Sequence, residues 1–350
     1  MDIPIIFAIN DDYVKQLATT ISSIMRNSNK ENNYNFFVLS TDVSAQNKSI
    51  LLSYVKKIGA KLNFIDMKPV IKNIDLEKLM SRRKNYNYIS PETYFRYFIP
   101  ELFSEYEKVL YLDADILVAN DLSILFSEDI ADTYSGVIKD SFLVNSIQDE
   151  NFKTQQYPEL SYRQYLKKIL KKKNRDYFNA GVLLLNLARI RNDKIISKLW
   201  DFTIENSPLE FQDQDALNAV FESNVKFLDI RWNVLKNWQK LSNDKKQKNP
   251  YIIHYVGENK PWVYNKKYSY DYPMIKEWWN IYKQTPFYKE EETKLEKKIL
   301  NKVKLYKVKH FLQQIFLLRN DGIYKEVRFM GIVFRFKRKM KNKITKKEQV

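Results

Sequence analysis

The segment KVLYLDADILV (Lys108–Val118) carries the strongest local signal in the chain. Val109, Leu110 and Leu112 form a short apolar run that reads as a buried strand. It leads straight into two carboxylates, Asp113 and Asp115, spaced i, i+2. In extended backbone that spacing puts both on one face. Two adjacent carboxylates repel unless a cation lies between them, and oxygen ligands favour a hard divalent ion such as Mg²⁺ or Mn²⁺. The alternative is a strand-end turn whose aspartates face water.

Outward from this segment, strand and helix patterns alternate. Strands are expected at Ile3–Ile9, Asn35–Ser40, Lys61–Ile65, Ser135–Ile138, Tyr177–Leu187, Val225–Leu228 and Tyr251–His254. Helices are expected over Tyr13–Arg26, Ser44–Ile58 with Ser44 as N-cap, Pro91–Phe98, Tyr162–Lys173, Asp193–Glu205, Asp213–Phe221 and Pro273–Tyr282. Such alternation is the pattern of a mainly parallel sheet with helices on its faces. No repeat of 20–50 residues interrupts it.

Composition narrows the chemistry. The 350 residues include no cysteine, which excludes disulfide scaffolds, thiolate zinc sites, iron–sulfur clusters and a cysteine nucleophile. Only His254 and His310 are histidines, so sites that need two or three are excluded. The 6 glycines form no GxGxxG, which disfavours a nicotinamide dehydrogenase. The formal charge is +17, and residues 294–350, with 18 Lys/Arg against 4 Asp/Glu, carry +14 of it. A nearly neutral body with a basic tail points to a polyanionic partner surface, either anionic lipid or nucleic acid. No signal peptide and no apolar run long enough to span a membrane is read in the chain.

Three further constellations could bear chemistry. His254 ends an apolar strand and is followed by Gly257, which lets backbone approach closely, and Lys260, which suits a phosphate. A His–Asp–Asp set would suit Mn²⁺, although a histidine in this position is more often simply a satisfied buried one. Asp213-Gln214-Asp215 opens a helix, where carboxylates complement the dipole, the reading preferred for Asp215. Phe178-Asn179-Ala180-Gly181 places an amide before a buried strand, which turn chemistry alone would explain.

The order of these pieces is more specific than any one of them. FAINDDY (Phe7–Tyr13), TYFRYFIPEL (Thr93–Leu102), KVLYLDADILV, YFNAGVLLLNL (Tyr177–Leu187), FQDQDALNAVF (Phe211–Phe221) and HYVGENKPW (His254–Trp262) occur in sequence. Together they closely resemble glycosyltransferase family 8, the retaining sugar transferases that include bacterial lipopolysaccharide galactosyl- and glucosyltransferases. The resemblance spans roughly residues 3–282. It implies an α/β fold of the GT-A nucleotide-sugar-binding type, with a mixed, mainly parallel central sheet flanked by helices. The expected division is a catalytic domain over 1–285 and a basic, aromatic, helical tail over 286–350.

The resemblance also implies site roles. Ala8, Asn10 and Tyr13 lie where the family holds uracil and ribose, although a family member carries Asp where this chain has Asn10. Asp113, Asp115 and His254 match the metal ligands, with Mn²⁺ or Mg²⁺ as cofactor. Ala114, Gly257 and Lys260 match nucleotide and diphosphate contacts, and Asp113 counts with them. Arg96, Asp140, Asn179, Asp213 and Gln214 match residues around the donor hexose, and Gln214 and Asp213 are the catalytic candidates. The family often has His after Pro261-Trp262. Val263 stands there instead, so no role is carried over.

The expected activity is metal-dependent, retaining transfer of glucose or galactose from UDP-glucose or UDP-galactose to a lipid-linked surface glycan. A carboxylate nucleophile like that of a retaining hydrolase is missing at Gln214, which favours same-face displacement. In the tail, Leu295, Ile299, Val303 and Tyr306 fall near helical spacing among lysines, and Lys325–Lys339 mixes aromatics with Arg/Lys. This suits attachment to an anionic membrane at the inner face of the cytoplasmic membrane, with no nucleic acid expected. A solvated basic helix packed on the body is the plainer alternative. Competing readings of the whole chain are a glycogenin-like self-glucosylating enzyme, a basic nucleic-acid-binding protein and an inactive sugar-binding relic.

Overall fold

The computed structural model describes residues 1–74, 90–146, 149–172, 176–235, 249–257, 260–262, 273–289, 316–320, 324–329 and 332–337. Continuous apolar runs become the central strands, as expected for strands covered on both faces. Strands β1 (Asp2–Ala8), β2 (Asn33–Ser40), β3 (Lys61–Asp66), β4 (Lys108–Leu112), β6 (Ser135–Lys139), β7 (Phe178–Asn186) and β8 (Val225–Phe227) form one sheet in the order β3-β2-β1-β4-β7-β6-β8. Strand β7 runs antiparallel to both β4 and β6, and the other pairs are parallel. The sheet is therefore mixed and mainly parallel. A second sheet joins β5 (Ile116–Val118), β10 (Ile252–His254) and β9 (Val234–Leu235) in the order β5-β10-β9.

This topology positions the site. The chain winds from β1 through β2 to β3 on one side and then returns to place β4 on the other side of β1. Ligands of open α/β sheets bind at such a switch point, beyond the carboxyl ends of the strands. Asp113-Ala114-Asp115 follows β4 at this end. The segment is a bend that passes the chain from the large sheet to β5, not the extended pleat expected from the i, i+2 spacing.

Helix Val14–Asn27 lies against this bend. Its Val14, Leu17, Ala18, Ile21 and Ile24 are buried at the expected helical spacing. Its buried hydroxyls do a second job: Thr20 Oγ1 lies 2.8 and 2.9 Å from the carbonyl oxygens of Ala114 and Ile116, and Ser23 Oγ accepts from Val118 N at 3.0 Å. A bend leaves carbonyls without ladder partners, and burying them unpaired would be costly. Thr20 supplies the donor.

Several boundaries differ from expectation. Pro91–Phe98 is a 3₁₀ helix that passes into a short α-helix, Ile99–Leu102. The helix expected over Asp193–Glu205 is found as Ile195–Asn206, and a short helix that was not expected, Leu187–Asn192, precedes it across a turn in which Lys194 has φ +51°. The basic stretch at Tyr162 is helical only to Lys168, entered through a reciprocal cap between Ser161 and Gln164. Ser44 caps its helix as expected, accepting from Asn47 N.

By its contacts the chain divides into two units, Met1–Phe287 and Tyr288–Val350. In the second, β11 (Phe316–Asn320), β12 (Tyr324–Phe329) and β13 (Ile332–Lys337) form an antiparallel sheet in that order. The helical tail is thereby corrected over these strands. Their alternation of apolar and basic residues, as in Ile332-Val-Phe-Arg-Phe-Lys337, together with their β-branched and aromatic content, suits a pleat. The helical spacing read over Lys294–Lys309 lies outside the described residues.

Candidate functional site

The two aspartates and the histidine converge. Asp113, Asp115 and His254 each offer one ligand atom, and the three atoms lie within 4.8 Å of one another. His254 Nε2 is 3.2 Å from Asp115 Oδ1 and 3.6 Å from Asp113 Oδ2. The backbone brings them together: β10 pairs antiparallel with β5, so His254 sits opposite Ile116. Asp113 N donates to Gly181 O at 2.9 Å and Tyr255 N donates to Asp115 O at 3.0 Å. Two carboxylates and an imidazole are the donor set for a hard-to-borderline divalent ion. Gly181 makes the cluster possible, because a Cβ there would come within 2.2 Å of His254 Cε1 and 2.7 Å of Asp113 Oδ2. The residues fit a metal.

Cations of the chain itself already neutralise these carboxylates. Lys260 Nζ donates to Asp115 Oδ2 and to Tyr255 O. Burial works to raise the Asp115 pKa, but the neighbouring Lys260 ammonium, with His254, outweighs it and the net shift is downward. Burial likewise opposes the charge on Lys260, and Asp115 reverses the balance. On the other side Arg96 Nη2 reaches Asp113 Oδ1 at 3.2 Å, and Arg96 Nε lies 3.0 Å from Asp213 Oδ2. The same guanidinium donates to Ala180 O at 2.5 Å and stacks 4.3 Å from the Tyr111 ring centroid. Arg96 is thus a buried bridge from the ligand cluster to Asp213.

The remaining expected residues gather along Phe178–Gly181. Gln214 Oε1 accepts from Ala180 N at 2.9 Å, and Gln214 Nε2 lies 3.4 Å from Tyr177 Oη. Asn179 Oδ1 accepts from Gly181 N at 3.0 Å, while Asn179 Nδ2 donates to Asp140 Oδ2 at 3.2 Å. Asp213 Oδ1 accepts from Thr93 Oγ1 at 2.5 Å, whereas its Oδ2, although ion-paired to Arg96, accepts no hydrogen bond. Burial raises the pKa of both Asp140 and Asp213. These groups share one wall with the Asp113 cluster.

The residues expected at the nucleotide lie at the strand ends. Ala8 ends β1, and Asn10 follows with a buried Oδ1 that accepts no hydrogen bond. Ser40 Oγ, at the end of β2, is another buried atom without a partner. Tyr13 meets Trp262 edge-on, with centroids 6.2 Å apart. Ala114 is buried in the bend, its carbonyl taken by Thr20. Gly257 adopts φ +73°, a conformation that favours glycine.

Sequence reasoning missed Thr20, Ser40, Thr93, Tyr111, Tyr177, Asn218 and Asn233. Tyr177 lies inside the YFNAGVLLLNL motif, but a tyrosine heading a buried strand reads as packing. Asn218 falls one turn after Gln214 and clamps both backbone groups of Phe178, at 2.9 Å each. Nothing in the sequence around Asn233 marks it.

Asp215 lies in the first turn of its helix, as expected, and is also fully buried. It accepts from Tyr165 Oη at 2.7 Å, Tyr177 Oη at 2.5 Å and Phe211 N at 2.7 Å. Burial nonetheless outweighs these donors and raises its pKa from 3.8 to about 6. A raised carboxylate pKa contributes stability that is full below pH 3.8 and is lost as pH rises through about 6. Across that window the loss comes to about 3 kcal/mol. Asp215→Asn, which cannot ionise, is therefore expected to gain stability relative to wild type as pH rises from about 4 to about 8. Urea midpoints across that range check it, and parallel profiles would refute it.

The chain is similar to known proteins in sequence and fold. Residues 4–266 match the model of "Glycosyl transferase family 8". A lipopolysaccharide 1,2-glucosyltransferase of Escherichia coli is 26% identical over 337 residues, covering 92% of this chain and 89% of the relative. Among solved structures, the bifunctional glycosyltransferase WbbM superposes with TM-score 0.70 at 27% identity, over 83% of this chain and 51% of that one. Galactosyltransferase LgtC, solved with donor and acceptor sugar analogues, superposes with TM-score 0.64 at 25% identity, over 82% of this chain and 96% of its own. The fold is of the GT-A kind seen in these structures. A match over most of the first unit, on a sheet whose switch point carries the Asp-x-Asp bend, makes the chain a member of glycosyltransferase family 8.

Proposed function

We propose that this family 8 glycosyltransferase moves a hexose, glucose or galactose, from a UDP-sugar to a hydroxyl of a lipid-linked surface glycan, with retention and with the help of Mn²⁺ or Mg²⁺. The observation that carries the reading is the buried bridge Asp113–Arg96–Asp213, which joins the Asp113/Asp115/His254 cluster to the wall formed by Asp213, Gln214, Asn179 and Asp140. A diphosphate leaving group would lie at the cluster and the hexose against the wall. Asp113, Asp115 and His254 would hold the metal, which supplies positive charge to the departing diphosphate.

The chain's own groups account for the rest. Lys260 would exchange Asp115 for a phosphate oxygen, taking its charge to where negative charge grows. Asp213, paired to Arg96 through Oδ2, would hold that guanidinium against the hexose wall. Gln214 Oε1 is engaged by Ala180 N, and a neutral amide oxygen already holding a hydrogen bond is a poor nucleophile. This supports displacement from the face of the leaving group, with the leaving phosphate taking the acceptor's proton, over a covalent intermediate. The orphaned Asn10 Oδ1 and Ser40 Oγ at the strand ends suit the donors of a base or ribose.

The +14 charge of residues 294–350 supports attachment to an anionic membrane, and so a peripheral location at the inner face of the cytoplasmic membrane. Among the described residues no helix is long and apolar enough to cross one.

UDP release from UDP-glucose, UDP-galactose and their N-acetyl forms, with and without Mn²⁺, tests the reading, with Asp115→Ala as control. Mn²⁺-dependent release that disappears in the variant is expected. No release from any donor, with no Mn²⁺-dependent UDP binding, would overturn it. Cosedimentation of the same protein with anionic but not zwitterionic vesicles is expected, and equal partition would refute the tail's role.

A further inference from the structure

His254 can face the carboxylates as a lone-pair donor only if its other nitrogen carries the hydrogen, and the surrounding bonds decide which nitrogen that is. One neighbouring group has a fixed polarity, the backbone N–H of Gly181. It donates to the Asn179 side chain at 3.0 Å, so the atom it meets is the amide oxygen, Oδ1. Asn179 must then turn its NH₂ toward the buried carboxylate Asp140, and Nδ2 lies 3.2 Å from Asp140 Oδ2. Asn179 Oδ1 has a second neighbour, the Asn233 side chain at 2.9 Å, which must present a donor to an oxygen. Asn233 therefore offers Nδ2 to Asn179, and its own oxygen is left for His254 Nδ1, 3.1 Å away. An oxygen accepts, so Nδ1 must carry the hydrogen.

All four side chains are buried, so water is not at hand to repair a reversed bond. Reversing Asn179 would set N–H against the Gly181 N–H and oxygen against Asp140, and reversing Asn233 would set its oxygen against Asn179 Oδ1. The chain Asp140–Asn179–Asn233–His254 thus runs in one sense only.

We propose that Asn233 is a positioning residue that locks His254 as the Nδ1–H tautomer, leaving the Nε2 lone pair directed at Asp113 and Asp115. The hydrogen on Nδ1 follows from the hydrogen bonds alone, whereas the bare Nε2, which faces carboxylate oxygens at 3.2 and 3.6 Å, rests on the metal reading proposed above. The same chain runs from His254 through Asn233 and Asn179 to Asp140, so the ligand cluster and the hexose wall share one hydrogen-bonded register. Second-sphere partners of a ligating imidazole commonly change metal affinity by about 10–100-fold when removed.

The test reads the tautomer without metal. Full-length protein labelled with ¹⁵N-histidine has two imidazoles, and a His310→Gln variant assigns them. Long-range ¹H–¹⁵N spectra at mildly alkaline pH distinguish Nδ1–H from Nε2–H. In wild type, His254 is expected as Nδ1–H. In Asn233→Leu, which removes the acceptor, it is expected to move to Nε2–H or a mixture, with Mn²⁺ binding by electron paramagnetic resonance weakened at least about tenfold. Asn233→Asp retains an acceptor oxygen and is expected to keep Nδ1–H.

A wild-type ring with hydrogen on Nε2 and none on Nδ1 overturns the proposal, with no dependence on any variant folding, whereas a ring carrying both keeps Nδ1–H toward Asn233 and supports it. Persistence of Nδ1–H in a folded Asn233→Leu overturns the role of Asn233. An Nδ1–H ring in wild-type protein that binds no Mn²⁺ supports the hydrogen-bond assignment and overturns the metal reading instead.

Discussion

Gly181→Ala is expected to cost at least about 100-fold in UDP-sugar turnover while the protein still folds. The missing Cβ is the space in which the ligand cluster closes. Added there, it would stand 2.2 Å from His254 Cε1, 2.8 Å from His254 Nδ1 and 2.7 Å from Asp113 Oδ2. None of these neighbours can swing away cheaply. The imidazole is buried and tied through Nδ1 to Asn233, and Asp113 Oδ1 is held by Arg96 and Tyr111. The strand cannot retreat either, because Gly181 O accepts from Asp113 N and Gly181 N donates to Asn179. Relief must come from shifting the imidazole or the carboxylate by an ångström or so. Displacement on that scale at reacting groups costs about 100-fold in rate, whereas overpacking at one site costs about 1–3 kcal/mol of stability. UDP release, Mn²⁺ titration and a urea melt on the same variant separate the two effects. Near-wild-type turnover with Mn²⁺ binding intact would show that the cluster does not need this space.

Arg96→Met is expected to produce the largest loss of stability, about 3–5 kcal/mol, because breaking a buried ion pair from one side leaves an uncompensated charge. Arg96 faces two carboxylates, and they are not equivalent. The Asp113 side chain is 29% exposed and can recruit water, whereas the Asp213 side chain is 6% exposed and cannot. The cost therefore falls mainly on Asp213, whose carboxyl burial already pushes toward protonation even with Arg96 beside it. Methionine replaces the packing against Tyr111 but neither the charge nor the bond to Ala180 O. Urea unfolding of Arg96→Met should show the loss, and adding Asp213→Asn should restore part of it by removing the stranded charge. A loss under about 1 kcal/mol, or no recovery in the double variant, would mean that the pair contributes little net stability, as exposed pairs do.

Much of the first unit was legible in the sequence. Strands β1, β2, β4 and β7 are each built around a short apolar run, and helix Val14–Asn27 buries Val14, Leu17, Ala18, Ile21 and Ile24 at helical spacing, because those positions pack against the core. What failed was local and has physical causes. The short helix Leu187–Asn192 was not expected, because its first residue closes an apolar strand run, and the turn at Lys194 that parts it from the next helix has neither glycine nor proline. The basic tail looked helical where its sequence also fits a pleat, since short amphipathic stretches satisfy both periods loosely.

The sequence by itself determined that Asp113, Asp115 and His254 stand at strand ends in a glycosyltransferase family 8 order, for those features are carried by residue type and by position along the chain. Only the tertiary structure decided what those residues face. Arg96, 17 residues from Asp113, bridges it to Asp213, Lys260 pairs with Asp115, and Asn233 sets the hydrogen on His254. The reason is physical. Hydrophobic periodicity is a one-dimensional signal that survives in the sequence, whereas the polarity of a buried hydrogen bond depends on the partner that folding brings within about 3 Å, and that partner is 17 to 145 residues away.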